Sequence, residues 1–310
     1  MKVLVTGAAG YVGSLLTPRL LEKGYEVIAL DNFMYRQTSL LDCCYHKKLT
    51  IIRGDVRNKV LMKSWIKEVD VIIPLACLVG APLCSNKPEE AKEINLDAIK
   101  LLLDLRNSNQ GIIFPSSESI YGLIPSGEYG TENSPAKPVS LYGTLKVQAE
   151  NMVLESGNSI TLRFATAFGV SPRMRLDLLV NDFTHRAVTD KFLVLFEANF
   201  KRNFIHVRDM VKAFIHCLDN FDLMKNEPYN VGLNGVNLSK WELCEEIKKQ
   251  VPDFYFVEAP IGTDMDKRNY AISNNKIEAT NFKPDHTLHT GISELIKSFQ
   301  ILHANQFRND

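Results

Sequence analysis

The feature that most constrains this chain is a glycine-spaced turn directly after its first apolar run, in the sequence VLVTGAAGYVG over residues 3–13. Gly7, Gly10 and Gly13 give the spacing G-x-x-G-x-x-G. The first glycine permits a sharp turn, the second lets backbone amides approach a pyrophosphate, and the third lets a following helix pack closely on the strand. This stretch therefore predicts a dinucleotide-binding unit with the pyrophosphate at the positive end of that helix.

An acidic residue follows at the spacing that such a unit requires. Asp31 closes the next apolar run, YEVIAL over residues 25–30. A carboxylate some twenty residues past the glycines accepts hydrogen bonds from the adenosine ribose hydroxyls and repels a 2′-phosphate. We therefore expect NAD rather than NADP; the alternative is that Asp31 is an ordinary turn residue.

Composition allows a large folded core, and the net charge indicates no particular partner, although a local cationic pocket for a diphosphate is compatible with it. The chain has 310 residues, of which 45% are hydrophobic and 23% charged, and its formal net charge is zero. This balance argues against nucleic acid as a ligand. We see neither a signal peptide nor an apolar run long enough to span a bilayer, so we expect a cytoplasmic protein with no membrane partner. The six cysteines form no C-x-x-C pair, which predicts reduced thiols and no metal site.

Apolar runs at residues 49–52, 69–75 and 111–114 alternate with helix-like segments. This alternation predicts an α/β fold, a doubly wound parallel (Rossmann) sheet with helices on both faces. One long helix is expected over residues 88–107, and its apolar stripe would serve as core or, in part, as a dimer face. Asp55 follows the third strand, where it would either contact the adenine or cap the helix that begins near Asn58.

The second half of the chain predicts a smaller lobe that binds the substrate. We expect an NAD-binding domain over residues 1–168, with return segments near 203–232, and a C-terminal lobe over 169–310. That lobe would contain helices at 176–190 and 237–249 and a strand at 254–257. A ligand would lie between the two parts, because pockets commonly form at such junctions.

The strongest chemical signal is a tyrosine and a lysine four residues apart on one predicted helix, Tyr142 and Lys146. A free tyrosine is a poor base at neutral pH, but a lysine ammonium and a positive nicotinamide ring favour its phenolate. Ser117 ends the preceding strand and would hydrogen-bond the same substrate oxygen. Alone, the pair is most often a surface contact; after a glycine turn and an acid-ended strand it indicates hydride transfer from an alcohol.

The chain resembles the extended short-chain dehydrogenase/reductase family, in its group of nucleotide-sugar epimerases and dehydratases. The matching residues occur in order over nearly the whole chain: TGAAGYVG at 6–13, DN at 31–32, GDV at 54–56, SS at 116–117 with YG at 121–122, YGTLK at 142–146, LRF at 162–164, RNFIHV at 202–207, YNVG at 229–232 and KP at 283–284. The resemblance implies that bound NAD oxidises a sugar, usually at C4. It also implies a homodimer paired through two helices, near 88–107 and 141–156.

In this family the residues matching Ser117, Tyr142 and Lys146 form the catalytic set. We expect the cofactor to contact Gly7, Gly10, Tyr11, Val12, Gly13, Asp31, Asn32, Asp55, Val56, Leu75, Ala76, Tyr142 and Lys146. We expect the nucleoside-diphosphate sugar to contact Val79, Gly80, Ser117, Glu118, Ser119, Arg173, Arg175, Asn181, Arg202 and Arg268.

Within that second set the expected roles differ. The resemblance implies that Asn181 and Arg202 hold the diphosphate or its nucleoside, and that Arg268 lies in a stretch with a similar role. Guanidinium groups suit this work because they meet phosphate oxygens in pairs. Arg173 and Arg175 would line the sugar pocket, with a solvated surface charge as the alternative.

Two departures from the family pattern bear on the reaction. The 4,6-dehydratases resemble one another in carrying an Asp-Glu pair where this chain has Glu118 and Ser119, and the 3,5-epimerase type carries a cysteine where Ser119 stands. A serine cannot replace a carboxylate base, so elimination is disfavoured unless Glu118 reaches the substrate. The remaining outcomes are a 4-epimerase, which re-reduces the 4-keto sugar, and a dehydrogenase, which releases it.

Two further alternatives concern the protein's class. The stretches at 78–84 and 171–184 resemble a subgroup that includes GDP-heptose 4-dehydrogenases. Relatives of this fold also bind dinucleotides as sensors or scaffolds without catalysis, but these typically lack the tyrosine or the lysine. Both are present here, which favours an enzyme.

Overall fold

The computed structural model describes residues 1–262 and 268–302. Its fold is built around a parallel sheet. The strands are Lys2–Thr6 (β1), Glu26–Asp31 (β2), Leu49–Arg53 (β3), Val71–Pro74 (β4), Gly111–Ser117 (β5), Ser159–Phe164 (β6), Thr166–Phe168 (β7), Phe192–Leu195 (β8), Lys201–His206 (β9), Glu227–Val231 (β10), Asn237–Ser239 (β11) and Tyr255–Glu258 (β12). Seven of them form one sheet in the order β10-β6-β5-β4-β1-β2-β3. Every pairing within it is parallel, which confirms the predicted Rossmann fold.

Helices cover both faces of this sheet. The α-helices are Gly13–Glu22 (α1), Lys59–Ile66 (α2), Ala81–Asn86 (α3), Pro88–Lys92 (α4), Ala98–Leu105 (α5), Leu141–Glu155 (α6), Leu179–Thr189 (α7), Val207–Asp219 (α8), Phe221–Met224 (α9), Lys240–Lys248 (α10), Asn275–Glu278 (α11) and Leu288–Ser298 (α12). Short 3₁₀ turns lie at Leu41–Cys43 and Glu118–Ile120, and a π-helical turn lies at Glu93–Asp97.

Side-chain alternation along the strands builds two cores around the sheet. In β1, Val3 and Val5 face a cluster that contains α1 and α8, whereas Leu4 faces a cluster that contains α2, α5 and α6. Successive side chains of a strand point to opposite faces, so strands that are apolar throughout must be buried on both sides. The carboxyl ends of all seven strands consequently meet at one edge.

The later segments form a second unit with its own core. A three-stranded sheet of order β11-β9-β7 and a two-stranded parallel sheet of β12 and β8 pack with α7, α10 and α12. The strand β10 instead returns to the large sheet and pairs with β6. This return was expected from the sequence YNV at 229–231.

Two predicted helices differ from the structure. The helix expected over 88–107 contains the π-helical turn Glu93–Asp97, where the buried Asn95 side chain bonds to the backbone of Leu78. The helix expected over 237–249 begins only at Lys240, because Ser239 and Glu242 form a reciprocal capping box. Among the described residues, no helix combines the length and apolar character needed to cross a bilayer.

Candidate active site

The glycine turn joins β1 to α1 and is held tightly against its surroundings. Gly7 has a φ of +67°, and a Cβ there would lie 2.7 Å from the backbone nitrogen of Ala76. A Cβ on Gly13 would collide with the carbonyl oxygen of Gly7, so α1 can pack this closely on the turn only because residue 13 is glycine. Val12 is the N-cap of α1 and has no side-chain capping bond, and the first turn of α1 carries no acidic residue. These features leave the helix end suited to a pyrophosphate, in agreement with an NAD site.

The hydroxyl of Tyr11 faces a second loop, at residues 169–178. It donates a hydrogen bond to the carbonyl of Gly169 at 2.7 Å. Ser171 Oγ donates to the carbonyl of Tyr11 at 2.6 Å and lies 2.9 Å from Ser14 Oγ. The Tyr11 contribution to cofactor binding is therefore expected from its backbone, while its side chain ties the glycine turn to this loop.

Asp31 lies at the end of β2, beside the glycine turn. Its Oδ2 accepts a hydrogen bond from the Ala9 N–H at 3.0 Å, and its Oδ1 accepts one from the Phe33 N–H at 2.7 Å. Burial raises the pKa of the carboxyl, and the two backbone bonds and the charge of Arg173 act in the opposite direction. The carboxylate is thus oriented by backbone at the position expected for a ribose-binding acid.

The ends of β2 and β3 meet through Asn32 and Asp55, whose side chains hydrogen-bond. Asp55 also binds the Arg57 guanidinium at 2.7 and 2.9 Å, and this bond lowers the pKa of its carboxyl. The helix α2 is capped by Asn58 itself, not by Asp55, so the capping alternative for Asp55 is wrong. Contact with the adenine stays a prediction for Asp55 and for the neighbouring Val56.

The loop after β4 crosses the same edge. The Leu75 and Ala76 amides donate to the carbonyl and hydroxyl of Thr6 at 2.9 and 3.3 Å, so both residues lie beside the glycine turn. Farther along, Asn95 clamps Leu78 with two bonds of 2.8 Å. Val79 and Gly80 follow this clamp and lead into α3, where they are partly exposed.

The three predicted catalytic residues come together at the carboxyl end of β5. Ser117 is the last residue of β5, and Tyr142 and Lys146 lie in the first half of α6. The Ser117 side chain acts on the Tyr142 phenol and lowers its pKa. Lys146 Nζ donates to the Pro115 carbonyl at 2.6 Å and lies 5.9 Å from the centre of the Tyr142 ring. A serine, a tyrosine and a lysine arranged in this way can bind an alcohol oxygen and accept its proton.

Burial governs the acidity of Tyr142. It raises the pKa of the phenol, and the nearby Cys77 and Cys84 act in the same direction. The charge of Arg268 and the bond to Ser117 act against it. The expectation that this pKa is lowered therefore depends on the positive nicotinamide ring, because the protein's own surroundings raise it on balance.

Glu118 and Ser119 follow Ser117 and differ sharply in their contacts. Glu118 is fully buried, and neither of its carboxyl oxygens has a hydrogen-bond partner among the described residues. Burial raises the pKa of this carboxyl well above its ordinary value, which favours its neutral form. Ser119 Oγ lies 2.7 Å from Ser117 Oγ and accepts a bond from Arg268 at 2.5 Å.

Arg173 lies near Asp31, the acid predicted to bind the ribose. Its guanidinium carbon is 4.6 Å from the centre of the ring of Tyr35, which is four residues after Asp31. The charges of Arg173 and Asp31 also interact. Arg175 is buried and pairs with Asp177 through a 2.5 Å bond. Arg175 also interacts electrostatically with Tyr142. A place in the sugar pocket stays a prediction for both arginines.

Asn181 and Arg202 are almost completely buried and bind the protein's own backbone. Asn181 accepts a bond from the Gly169 N–H at 3.0 Å and donates to the Arg175 carbonyl at 2.8 Å. Arg202 donates to the carbonyls of Lys201 and Arg268. Diphosphate binding stays a prediction for Asn181, Arg202 and Arg268.

Sequence reasoning missed three residues at this site. Cys77 interacts electrostatically with Lys146, Asn95 fixes the loop after β4, and Tyr35 contacts Arg173. An asparagine within the apolar stripe of a predicted helix is a signal that would have pointed to Asn95. Cys77 and Tyr35 carry no comparable pattern.

Comparison with known proteins assigns the family. Residues 3–232 match the model of the NAD dependent epimerase/dehydratase family. The low-salt glycan biosynthesis protein Agl12 of Haloferax volcanii is 28% identical, covering 96% of this chain and 97% of its own. The Bacillus subtilis protein YtcB, described as an uncharacterised UDP-glucose epimerase, is 31% identical over 75% of this chain and 77% of its own.

The solved structures agree in fold. UDP-glucuronic acid 4-epimerase from Bacillus cereus, in complex with UDP-glucuronic acid and NAD, superposes with a TM-score of 0.85 at 22% identity. The match covers 98% of this chain and all of the other. The glycine turn, Asp31 and the Ser117–Tyr142–Lys146 set thus lie in a chain that belongs to the NAD dependent epimerase/dehydratase family, an extended short-chain dehydrogenase/reductase that uses NAD.

Proposed function

We propose that this enzyme oxidises a nucleoside-diphosphate sugar at C4 and re-reduces the 4-keto sugar, acting as a nucleotide-sugar 4-epimerase. The observation that carries the proposal is the convergence of Ser117, Tyr142 and Lys146 at the sheet edge that also holds the glycine turn. Relatives described as nucleotide-sugar 4-epimerases support the same substrate class.

Each residue of the set has a distinct task in the proposed reaction. Ser117 binds the C4 hydroxyl oxygen, and Tyr142 accepts its proton as the C–H bond breaks. Lys146 adds positive charge beside the phenol and would hold the nicotinamide ribose. NAD supplies the hydride acceptor and, in the return step, the hydride donor. Rotation of the keto sugar between the two steps would present its other face.

The local chemistry disfavours elimination. A dehydratase needs a carboxylate to remove the C5 proton, and Ser119 offers only a hydroxyl that is engaged by Ser117 and Arg268. Burial of Glu118 raises the pKa of its carboxyl and so favours the protonated form, which is a poorer proton acceptor than a carboxylate. These two side chains favour oxidation at C4 without loss of water.

We place the sugar between the NAD-binding domain, residues 1–168, and the lobe formed by residues 169–310. Asn181, Arg202 and Arg268 come from the second part and would meet the diphosphate there, and Arg175 would line the sugar pocket. We also propose a homodimer, as the family resemblance implies. Light scattering on the purified protein, which gives the molar mass in solution, tests that assembly.

The reaction is tested by mixing the purified protein with UDP-, GDP- and dTDP-sugars while following the absorbance of reduced nicotinamide, with NMR of the sugar afterwards. An altered C4 configuration with no lasting absorbance change supports the epimerase. A lasting rise means that the keto sugar leaves, which makes the protein a dehydrogenase. No change in either signal with any sugar contradicts both reactions.

The base is tested by Tyr142→Phe, which removes only the hydroxyl. We expect NAD affinity within about twofold of wild type and sugar turnover reduced by about 10²–10⁴-fold, the usual loss for an essential acid–base group. Tyr129→Phe, at an exposed tyrosine, is the matched control. Near-normal turnover in Tyr142→Phe would exclude the proposed mechanism.

A further inference from the structure

We infer that Arg268 is a positioning residue that acts through Ser119 to direct the hydroxyl hydrogen of Ser117 toward the phenol of Tyr142. The expected effect on sugar turnover rests on the proposed function. The interaction among these side chains does not. It assigns Ser119 a task that differs from that of the carboxylate base that dehydratases carry at this position.

Three side chains from two parts of the chain form one hydrogen-bonded series that ends beside Tyr142. Arg268 Nη1 lies 2.5 Å from Ser119 Oγ, and Ser119 Oγ lies 2.7 Å from Ser117 Oγ. The Ser117 hydroxyl in turn acts on the phenol of Tyr142 and lowers its pKa. Both serines are at most 9% exposed, so water competes little for these bonds.

The donor and acceptor capacities of these groups leave one arrangement of hydrogens. A guanidinium only donates, so Ser119 Oγ must accept from Arg268. The Ser119 hydroxyl hydrogen is then free to donate to Ser117 Oγ. Ser117 Oγ also accepts from the Ser119 backbone N–H at 3.1 Å, so both of its acceptor positions are filled.

With its acceptor positions filled, Ser117 keeps one hydrogen to donate, and Tyr142 is the partner in reach. A donated hydrogen bond stabilises the phenolate more than the phenol, so this polarity favours the base form of Tyr142. The same hydrogen would serve the sugar oxygen once substrate is bound. Without Arg268, the Ser119 oxygen is free to accept a hydrogen bond from Ser117. Ser117 can then donate its hydrogen to Ser119 and not to Tyr142.

The inference predicts a change in Tyr142 ionisation that needs no sugar. The NAD complex is titrated by phenolate absorbance, and each variant is compared with the same variant carrying Tyr142→Phe, which isolates this phenol from the other nine tyrosines. We expect Ser119→Ala and Arg268→Met each to lower the phenolate fraction at neutral pH about tenfold, the scale of one charge-assisted bond. Ser119→Thr keeps the hydroxyl and should stay close to wild type.

The double variant tests whether Arg268 acts through Ser119. If it does, Arg268→Met lowers the phenolate fraction much less in the Ser119→Ala background than in the wild type, because the connection is already broken. Equal factors in the two backgrounds would show that Arg268 acts on Tyr142 by its charge alone, and an unchanged titration in Ser119→Ala would refute the inference outright.

Controls separate this result from folding and from the proposed function. Arg186→Met removes a partly exposed arginine of α7, and Ser64→Ala removes an exposed serine of α2. Neither should move the titration. Because the readout uses NAD and no sugar, a failure to find a turned-over sugar leaves it intact. Conversely, if the Arg268 and Ser119 variants leave the Tyr142 titration unchanged while the wild-type enzyme epimerises a sugar, the role of Arg268 is wrong and the proposed function stands.

Discussion

Lys146 Nζ donates a hydrogen bond to the backbone carbonyl of Pro115 at 2.6 Å, and this bond holds the lysine of α6 against the end of β5. The ammonium also lies 4.8 Å from the centre of the Phe114 ring, so strand β5 contributes two consecutive anchors. Burial of the long side chain beside an apolar ring needs both contacts, since an unpaired buried ammonium is costly. The lysine is thus fixed next to Tyr142 before any substrate arrives.

Replacing this lysine should affect both the cofactor and the reaction. We expect Lys146→Met to weaken NAD binding about tenfold and to lower sugar turnover at least 10²-fold, because the positive charge beside the phenol is lost. Fluorescence titration with NAD and steady-state turnover measure the two effects. Lys63→Met, on the solvent side of α2, should change neither. An effect on NAD binding with full turnover would contradict the role given to this charge.

Arg173 should contribute to NAD affinity. Its guanidinium stacks on Tyr35 and interacts electrostatically with Asp31, both at the expected adenosine side. We expect Arg173→Met to raise the Kd for NAD about tenfold and to leave the KM for the sugar within about twofold. Calorimetric titration with NAD gives the first quantity without any sugar. An increase in KM with an unchanged Kd would instead return Arg173 to the sugar pocket, and Arg186→Met is the control.

The sheet and the grouping of Ser117, Tyr142 and Lys146 could be predicted because their signals are local. Glycine spacing, an acid at the end of β2 and a tyrosine four residues before a lysine are all read within one element or one turn. The helical register alone places Tyr142 and Lys146 on a common face. The order of strands then brings Ser117 to the same edge.

The features that sequence could not supply depend on contacts between distant segments. Arg268 reaches Ser119 across 149 residues, and Arg173 comes from a loop without periodicity to meet Tyr35. The π-helical turn exists because Asn95 bonds to a loop that precedes it by 17 residues. The acidity of Tyr142 is likewise set by burial, which no spacing reveals.

A buried ion pair supports the segment that carries the catalytic serine. Glu150 Oε1 accepts from Arg163 Nε at 3.0 Å and Nη2 at 2.7 Å, and Arg163 also donates to Tyr121 at 2.8 Å. We expect Glu150→Leu to lower the free energy of unfolding by about 3–5 kcal/mol, because it leaves a buried guanidinium uncompensated. Denaturant unfolding measures this change.

The matched double variant separates the charge from the packing. Glu150→Leu with Arg163→Met removes both charges and should be less destabilising than Glu150→Leu alone. Glu246→Ala breaks an exposed pair with Lys249 and should cost less than about 1 kcal/mol. A double variant that is as unstable as the sum of its parts would show that the pair is not coupled.

The contact between α12 and the start of α8 should make the free energy of unfolding depend on pH in the acidic range. Although burial alone raises the pKa of Glu294, bonds from His206 at 2.7 Å and from Arg208 outweigh it and lower that pKa to about 2. The His206 ring is itself stacked on His286, and His286 pairs with Asp209. Neighbouring side chains therefore hold the ring that bonds to Glu294.

The sign of the effect follows from the lowered pKa. A carboxyl that is more acidic in the folded state stabilises the protein above its unfolded pKa of about 4.3 and loses this contribution as the pH falls toward about 2. We expect Glu294→Gln to be less stable than wild type above about pH 5, with the difference in unfolding free energy shrinking below about pH 4. Denaturant unfolding at a series of pH values measures it, with Glu278→Gln on α11 as control. A difference that stays constant down to pH 3 would mean that the Glu294 charge does not stabilise the fold.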